Sequence, residues 1–274
     1  MIVQHRPTES ITFSKAENLV QEFASRGVTV LPPESLGVPF EIHQCIYEKE
    51  KKVVRDQQRI TPEVIPEIFD ILSAPGLVEA CDRIAGKNWA IVPFIHNAPF
   101  ISGARDQHWH KDDNAPYNAR KQRHHQAIQI EMLYYPQEVS SEMGPTAIVP
   151  FSHYWTFNHE ENHDNFAGAD HIDFAYLIEG LESMPVSGPD SQYTLEDIIH
   201  RQTRHDHRMT EAVSALNWPL TKVFEVAPLQ AGSVLLYSHN TFHRGNHRRD
   251  DWRQWKEKPR FMWRFWIYRT NEPV

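Results

Sequence analysis

Two hydrophobic periods divide the chain. Up to about residue 88, apolar positions recur at helical spacing, and from Trp89 they come in short β-branched and aromatic runs bounded by turn residues. Ser14-Lys15-Ala16-Glu17 forms a capping box ahead of Leu19, Val20 and Phe23, and Gly27 after Arg26 ends that first helix. Residues 28–31 then predict a strand stopped by Pro32-Pro33. A second helix is expected over about 39–58, with Ile42, Ile46, Val53 and Val54 on its inner side. Thr61-Pro62 starts a third helix, whose stripe is Ile65, Ile68, Phe69 and Leu72. A fourth runs over 75–85 and stops at Gly86.

Six strands follow at 90–95, 127–135, 146–149, 223–226, 233–237 and 260–268, a pattern of antiparallel sandwiches and barrels. The last alternates: Phe261, Trp263, Phe265 and Ile267 on one side, Arg260, Met262, Arg264, Trp266 and Tyr268 on the other. Both faces are bulky, which predicts a central strand with one face turned into a ligand cavity. The stretch 155–220 is polar, weakly periodic and too long for an ordinary connection, so it reads as an insertion or an active-site lid. Its histidines lack regular spacing and have acidic neighbours, which argues against a second metal. No linker separates domains, and the expectation is one domain over 1–274: a helical layer at 1–88 and a β core at 89–270.

Composition narrows the function classes. A formal net charge of -8 disfavours a nucleic-acid partner, because that affinity rests on clustered Lys and Arg. The one basic cluster, Arg244 to Lys258, is interrupted by Asp250, Asp251 and Glu257 and reads as a solvated loop. No segment approaches the ~18 apolar residues of a membrane span. Only Cys45 and Cys81 are present, no secretory leader is visible, and a reducing cytoplasm is the expected compartment.

The chemistry concentrates in Gln107-His108-Trp109-His110-Lys111-Asp112-Asp113 and in a later run that contains His243. Residues two apart on a strand aim the same way, so His110 and Asp112 can address one ion, with His243 as the best placed third ligand. Two imidazoles and a carboxylate on one face of a metal are the usual set of a non-haem ferrous oxygenase. His108 shares the strand face of His110 and reads as packing. The His239/His243 pair lacks the glutamate a zinc protease would need, since Asn240 follows the first histidine. His153, in Pro150-Phe-Ser-His153, reads as turn-forming.

Taken in order, the His-x-Asp motif, the segment from Glu142-Met-Gly-Pro-Thr to His153, and Gly232 followed by His243 resemble the phytanoyl-CoA dioxygenase family. The resemblance covers about 90–270. It implies a double-stranded β-helix (a jelly roll, cupin-like) with a helical N-terminal layer, and His110, Asp112 and His243 as ligands of Fe(II). It also implies 2-oxoglutarate and O2 as cosubstrates, succinate and CO2 as products, and hydroxylation of a small organic molecule. An arginine would hold the far carboxylate of 2-oxoglutarate, because its planar fork matches two carboxylate oxygens. Arg260, at the start of the last strand, is the expected one. It lies farther from His243 than the family pattern has it, which leaves Arg253 and Arg264 as rivals. The carboxylate at Asp112 argues against halogenation, because related halogenases leave that position open for chloride. Two other readings stay open: a cupin-type metalloenzyme that does not use 2-oxoglutarate, and an inactive small-molecule-binding relative.

Overall fold

The computed structural model describes residues 9–10, 19–56, 60–93, 129–150, 153, 224–239, 241, 243–246, 248–249 and 258–270. His110, Asp112, Arg253, the capping box at 14–17 and the 155–220 stretch lie outside them.

Two sheets carry the fold. The larger has five strands, β2 (Val28–Leu31), β7 (Ser233–Ser238), β4 (Gln129–Tyr135), β9 (Trp263–Arg269) and β3 (Trp89–Pro93), in that spatial order and antiparallel throughout. The smaller has the order β1 (Glu9–Ser10), β6 (Phe224–Glu225), β5 (Thr146–Ile148) and β8 (His243–Gly245), with only β1 and β6 parallel. Sequence-distant strands lie side by side in both sheets, the layout of a jelly roll rather than of a meander. β9 sits between β4 and β3 and is central, as its two bulky faces predict. The expected strands are all present, with β3 and β9 starting or ending within a few residues of their predicted bounds, and β1 and β8 are additions.

Period-2 alternation sends each strand into two cores. Leu133, Tyr135, Leu235, Tyr237, Val28 and Val30 meet Ile148 and Val226 between the sheets. Ile130, Met132, Tyr134, Val234, Leu236, Trp263, Phe265 and Ile267 point the other way, into the helical layer. That layer comprises α1 (Leu19–Arg26), α2 (Pro33–Leu36), α3 (Phe40–Arg55), α4 (Ile68–Leu72) and α5 (Pro75–Ala85). Each fully buried large apolar side chain there stabilises the fold by roughly 1.5–3 kcal/mol relative to exposure.

The helical layer corrects three expectations. Residues 61–67 form turns, and α4 starts only at Ile68. Pro66 lacks an amide hydrogen and disfavours helical geometry at Ile65, so the pattern from Thr61 cannot continue as one helix. Phe69, expected inside, is 56% exposed because the helix begins in a different phase. On α3 the buried side is His43, Ile46, Glu50 and Val53; Ile42 and Val54 are half-buried. The helix is rotated so that a histidine and a glutamate face the sheet, which hydrophobicity alone would not assign.

These two polar groups sit in dry surroundings. His43 Nδ1 is 2.8 Å from the Tyr134 hydroxyl, and burial lowers its basicity. Burial raises the Glu50 carboxyl well above the usual carboxylate range, against a smaller opposing effect of the Trp263 indole. Glu50 is therefore protonated in the folded chain at pH values where the unfolded chain has lost that proton. The stability linked to it is full below the unfolded pKa and is lost as pH rises toward the folded one. Glu50→Gln should thus raise Tm at pH 8 and leave it nearly unchanged at pH 4.5. Equal shifts at both pH values would show that Glu50 is ionised in the fold.

Candidate metal centre

β8 opens with His243, directly opposite Ile148 of β5. Cross-strand partners share a face, and Ile148 belongs to the core between the sheets, so the imidazole turns into the sandwich. Its exposure is 4%. Nδ1 lies 3.0 Å from the Thr241 carbonyl oxygen, and Nε2 lies 3.1 Å from the Tyr237 hydroxyl. A carbonyl oxygen can only accept, so Nδ1 carries the proton. In the neutral ring Nε2 then offers a lone pair to the interior, capped by the Tyr237 O–H, whose ring packs on the imidazole at 4.5 Å between centroids. A metal-ligating histidine needs this arrangement: one nitrogen donating to a backbone carbonyl, the other presented as a base. The residue therefore has the bonding pattern of an iron ligand, and an ion at Nε2 would take the place now held by the Tyr237 hydroxyl, whose side chain would have to move.

The strand is pinned from its other face. Asn246 Nδ2 donates to Glu225 Oε1 at 2.8 Å, Arg244 Nε donates to Asn246 Oδ1 at 2.9 Å, and Arg249 donates to both Glu225 oxygens. Arg248 reaches the Lys258 carbonyl at 2.7 Å. Arg244, Asn246 and Arg248 are all buried, which corrects the reading of 244–258 as a solvated loop. Its described part is a hydrogen-bonded clamp around the Arg249–Glu225 ion pair that fixes the strand carrying His243.

A second polar group stands farther along the same interior. Arg260 is 3% exposed and donates to the Gly144 carbonyl oxygen. Its neighbour Phe261 packs edge-on against Tyr47 in the helical layer, so alternation turns Arg260 the opposite way. The Tyr135 hydroxyl, which acts electrostatically on Arg260, is 3.1 Å from Thr146 Oγ1. Burial pushes the guanidinium down to about 10, with Arg248 adding to the effect, so it is charged at neutral pH. A cation and two hydroxyls thus stand together. Thr146 pairs with Gly245 as Ile148 pairs with His243, which sets Thr146 two residues of strand, about 7 Å, along β5 from the partner of His243.

Arg264, the rival on β9, also faces inward, but its Nε donates to Glu131 Oε1. Glu131 is fully buried, and its other oxygen is 3.1 Å from His239 Nε2. Arg264 is already neutralised by a carboxylate. His239 follows β7 in a turn and His243 begins β8, so they are not a helical zinc pair. His153 bonds through Nε2 to the Ala24 carbonyl at 2.9 Å, in keeping with a turn-forming role.

Of the expected ligands, only His243 falls among the described residues, and among these no group of three His, Cys, Asp or Glu side chains is placed to hold a metal. Sequence reasoning passed over Tyr135, Thr146, Tyr237 and Thr241. The first three are in phase with inward-facing neighbours, but strands buried on both faces give no polar contrast to reveal it. No helix among the described residues is long and apolar enough to cross a membrane.

Comparison with known proteins agrees with this architecture. The crystal structure of the non-haem α-ketoglutarate-dependent epimerase SnoN from nogalamycin biosynthesis superposes with a TM-score of 0.52 at 11% identity, covering 92% of this chain and 82% of that one. AviO1 from Streptomyces viridochromogenes gives 0.51 at 11% identity, covering 97% and 99%. Such distant likenesses speak for the fold alone. No curated protein sequence matches. The phytanoyl-CoA dioxygenase sequence model matches residues 43–254, a span that includes His110, Asp112 and His243 and stops short of Arg260. The chain belongs to the phytanoyl-CoA dioxygenase family, whose enzymes work with iron(II), 2-oxoglutarate and O2.

Proposed function

We propose that this protein is a 2-oxoglutarate-dependent oxygenase that hydroxylates a small organic molecule, releasing succinate and CO2. His110, Asp112 and His243 hold the iron, and Arg260, with the Tyr135 and Thr146 hydroxyls, takes the distal carboxylate of 2-oxoglutarate. The observation that carries this reading is the interior placement of His243 relative to Thr146: Thr146 lies two strand residues along β5 from the cross-strand partner of His243, and its hydroxyl meets that of Tyr135, which acts electrostatically on the buried Arg260. A five-carbon dicarboxylate held by the ion at one end would extend toward these groups.

When bound, the iron and its cosubstrate supply the oxidising power that removes hydrogen from an unactivated carbon. The chain supplies orientation and dryness. Thr241 fixes the His243 ring, the hydrogen-bonded arginines 244, 248 and 249 fix its strand, and the apolar residues between the sheets exclude water. Arg260 supplies a charge whose burial makes it effective, since little solvent competes for the carboxylate. Hydrogen removal also serves epimerisation, the reaction of SnoN. Product analysis separates the two, because hydroxylation adds one oxygen and epimerisation leaves the mass unchanged.

The first test is spectroscopic. Anaerobic iron(II) with 2-oxoglutarate should give a weak visible charge-transfer band in the wild-type protein and none in Asp112→Ala. Iron retained without the band would favour a cupin-type metalloenzyme; no retention of iron would leave a small-molecule-binding protein. A metabolite screen read out as succinate then identifies the substrate.

A further inference from the structure

Three segments far apart in sequence meet behind His243. α1 ends at Gly27, whose φ of 77° is the left-handed conformation that suits a helix C-terminus. The turn aims the Gly27 carbonyl at the β7–β8 connection, where it accepts from the Ser238 amide at 2.9 Å and from Thr241 Oγ1 at 2.9 Å. Thr241 is fully buried, and its amide donates to the Ser238 carbonyl at 2.8 Å. Its own carbonyl accepts the Nδ1 proton of His243. Beside Thr241, against the same face of Gly27, lies the His153 ring, tied to Ala24. A Cβ at Gly27 would stand 2.4 Å from Thr241 Oγ1 and 2.5 Å from His153 Nδ1, so this junction admits no side chain.

We propose that Thr241 is a positioning residue for the metal centre, and that the N-terminal helical layer, through the Gly27 carbonyl, sets the orientation of the His243 imidazole. The inference rests on the reading of His243 as an iron ligand. The hydroxyl of Thr241 is not near the metal-facing nitrogen; it acts on His243 by holding the peptide whose carbonyl receives the Nδ1 proton. With that anchor removed, the 239–243 connection can rotate and the ring loses its fixed tautomer and angle. Gly27 lies outside the residues 43–254 that the family model matches, and Thr241 and His243 lie within them.

The test uses the full chain with cobalt(II), an air-stable probe of the ferrous site, and follows its visible absorption and its dissociation constant. Thr241→Val keeps the volume and removes the donor, while the Gly27 carbonyl keeps its bond from Ser238. It should weaken cobalt binding by about 10–100-fold, the usual cost of losing an orienting partner, and change the band shape. Thr241→Ser should restore both, which loss of packing alone would not predict. Equal affinity and spectrum in wild type and Thr241→Val would overturn the proposal. Should Thr241→Val fail to fold, Thr241→Ala carries the same test without adding bulk. His243→Ala is the control: cobalt binding that survives it sinks the metal-centre reading, whereas binding lost there but kept in Thr241→Val sinks only the anchor.

Discussion

His243→Ala is expected to end succinate formation and to weaken binding of a divalent ion by more than ~100-fold. The bound follows from scale: orienting partners of a ligand are worth ~10–100-fold in metal affinity, and a ligand contributes more than the group that orients it. The fold should survive. The substitution removes one hydrogen bond from the Thr241 carbonyl and one from the Tyr237 hydroxyl, at about 0.5–1.5 kcal/mol each. That is tolerable against a stability of about 5–15 kcal/mol for a typical domain. Calorimetric titration with manganese(II), alongside a thermal melt of the metal-free protein, checks both halves. An intact melt with wild-type manganese affinity would remove His243 from the ligand set. A collapsed melt would instead assign it a structural role.

How far the sequence foretells such a site depends on whether a residue's chemistry is local. His243 was readable because imidazole is a rare ligand type inside an otherwise apolar and small-residue run. α5 was readable to the residue because Pro75 and Gly86 bracket one apolar stripe. Arg260 was readable as a candidate, but its separation from Arg264 was not. Glu131, the carboxylate that pairs with Arg264, sits in a strand more than a hundred positions earlier, joined to Arg264 only by the β4–β9 register. Long-range pairing of this kind leaves no periodic trace.

The misread parts fail for the same reason. Arg244, Arg248 and Arg249 look like a solvated run when only their neighbours are read, yet Glu225, on a different strand, neutralises part of the cluster and lets it pack. On α3, the apolar residues Ile42 and Val54 predict one facing, while Tyr134 and Trp263 of the sheet draw His43 and Glu50 inward. Tertiary partners override the local pattern where they satisfy a polar group that the pattern would leave outside.

Arg260→Met should separate binding of the cosubstrate from stability. Losing one side of a buried, hydrogen-bonded charge pair costs about 2–5 kcal/mol, so KM for 2-oxoglutarate should rise by about 30-fold or more. Arg260→Lys should recover little of this, because a point charge lacks the planar fork. The melt should move the other way. In the ligand-free protein the guanidinium is desolvated enough to be pulled down to about 10, and a methionine of similar length removes that burden, so the apo Tm should hold or rise. Arg264→Met makes the opposite forecast. It leaves Glu131 buried opposite His239 with its main cation gone, at roughly 3 kcal/mol, the low end for a broken buried pair because the Arg264 side chain is 22% exposed. That variant should melt early while KM for 2-oxoglutarate stays near wild type. If the two arginines exchange these phenotypes, the carboxylate is held on β9 by Arg264, and Glu131 is the group that orients it.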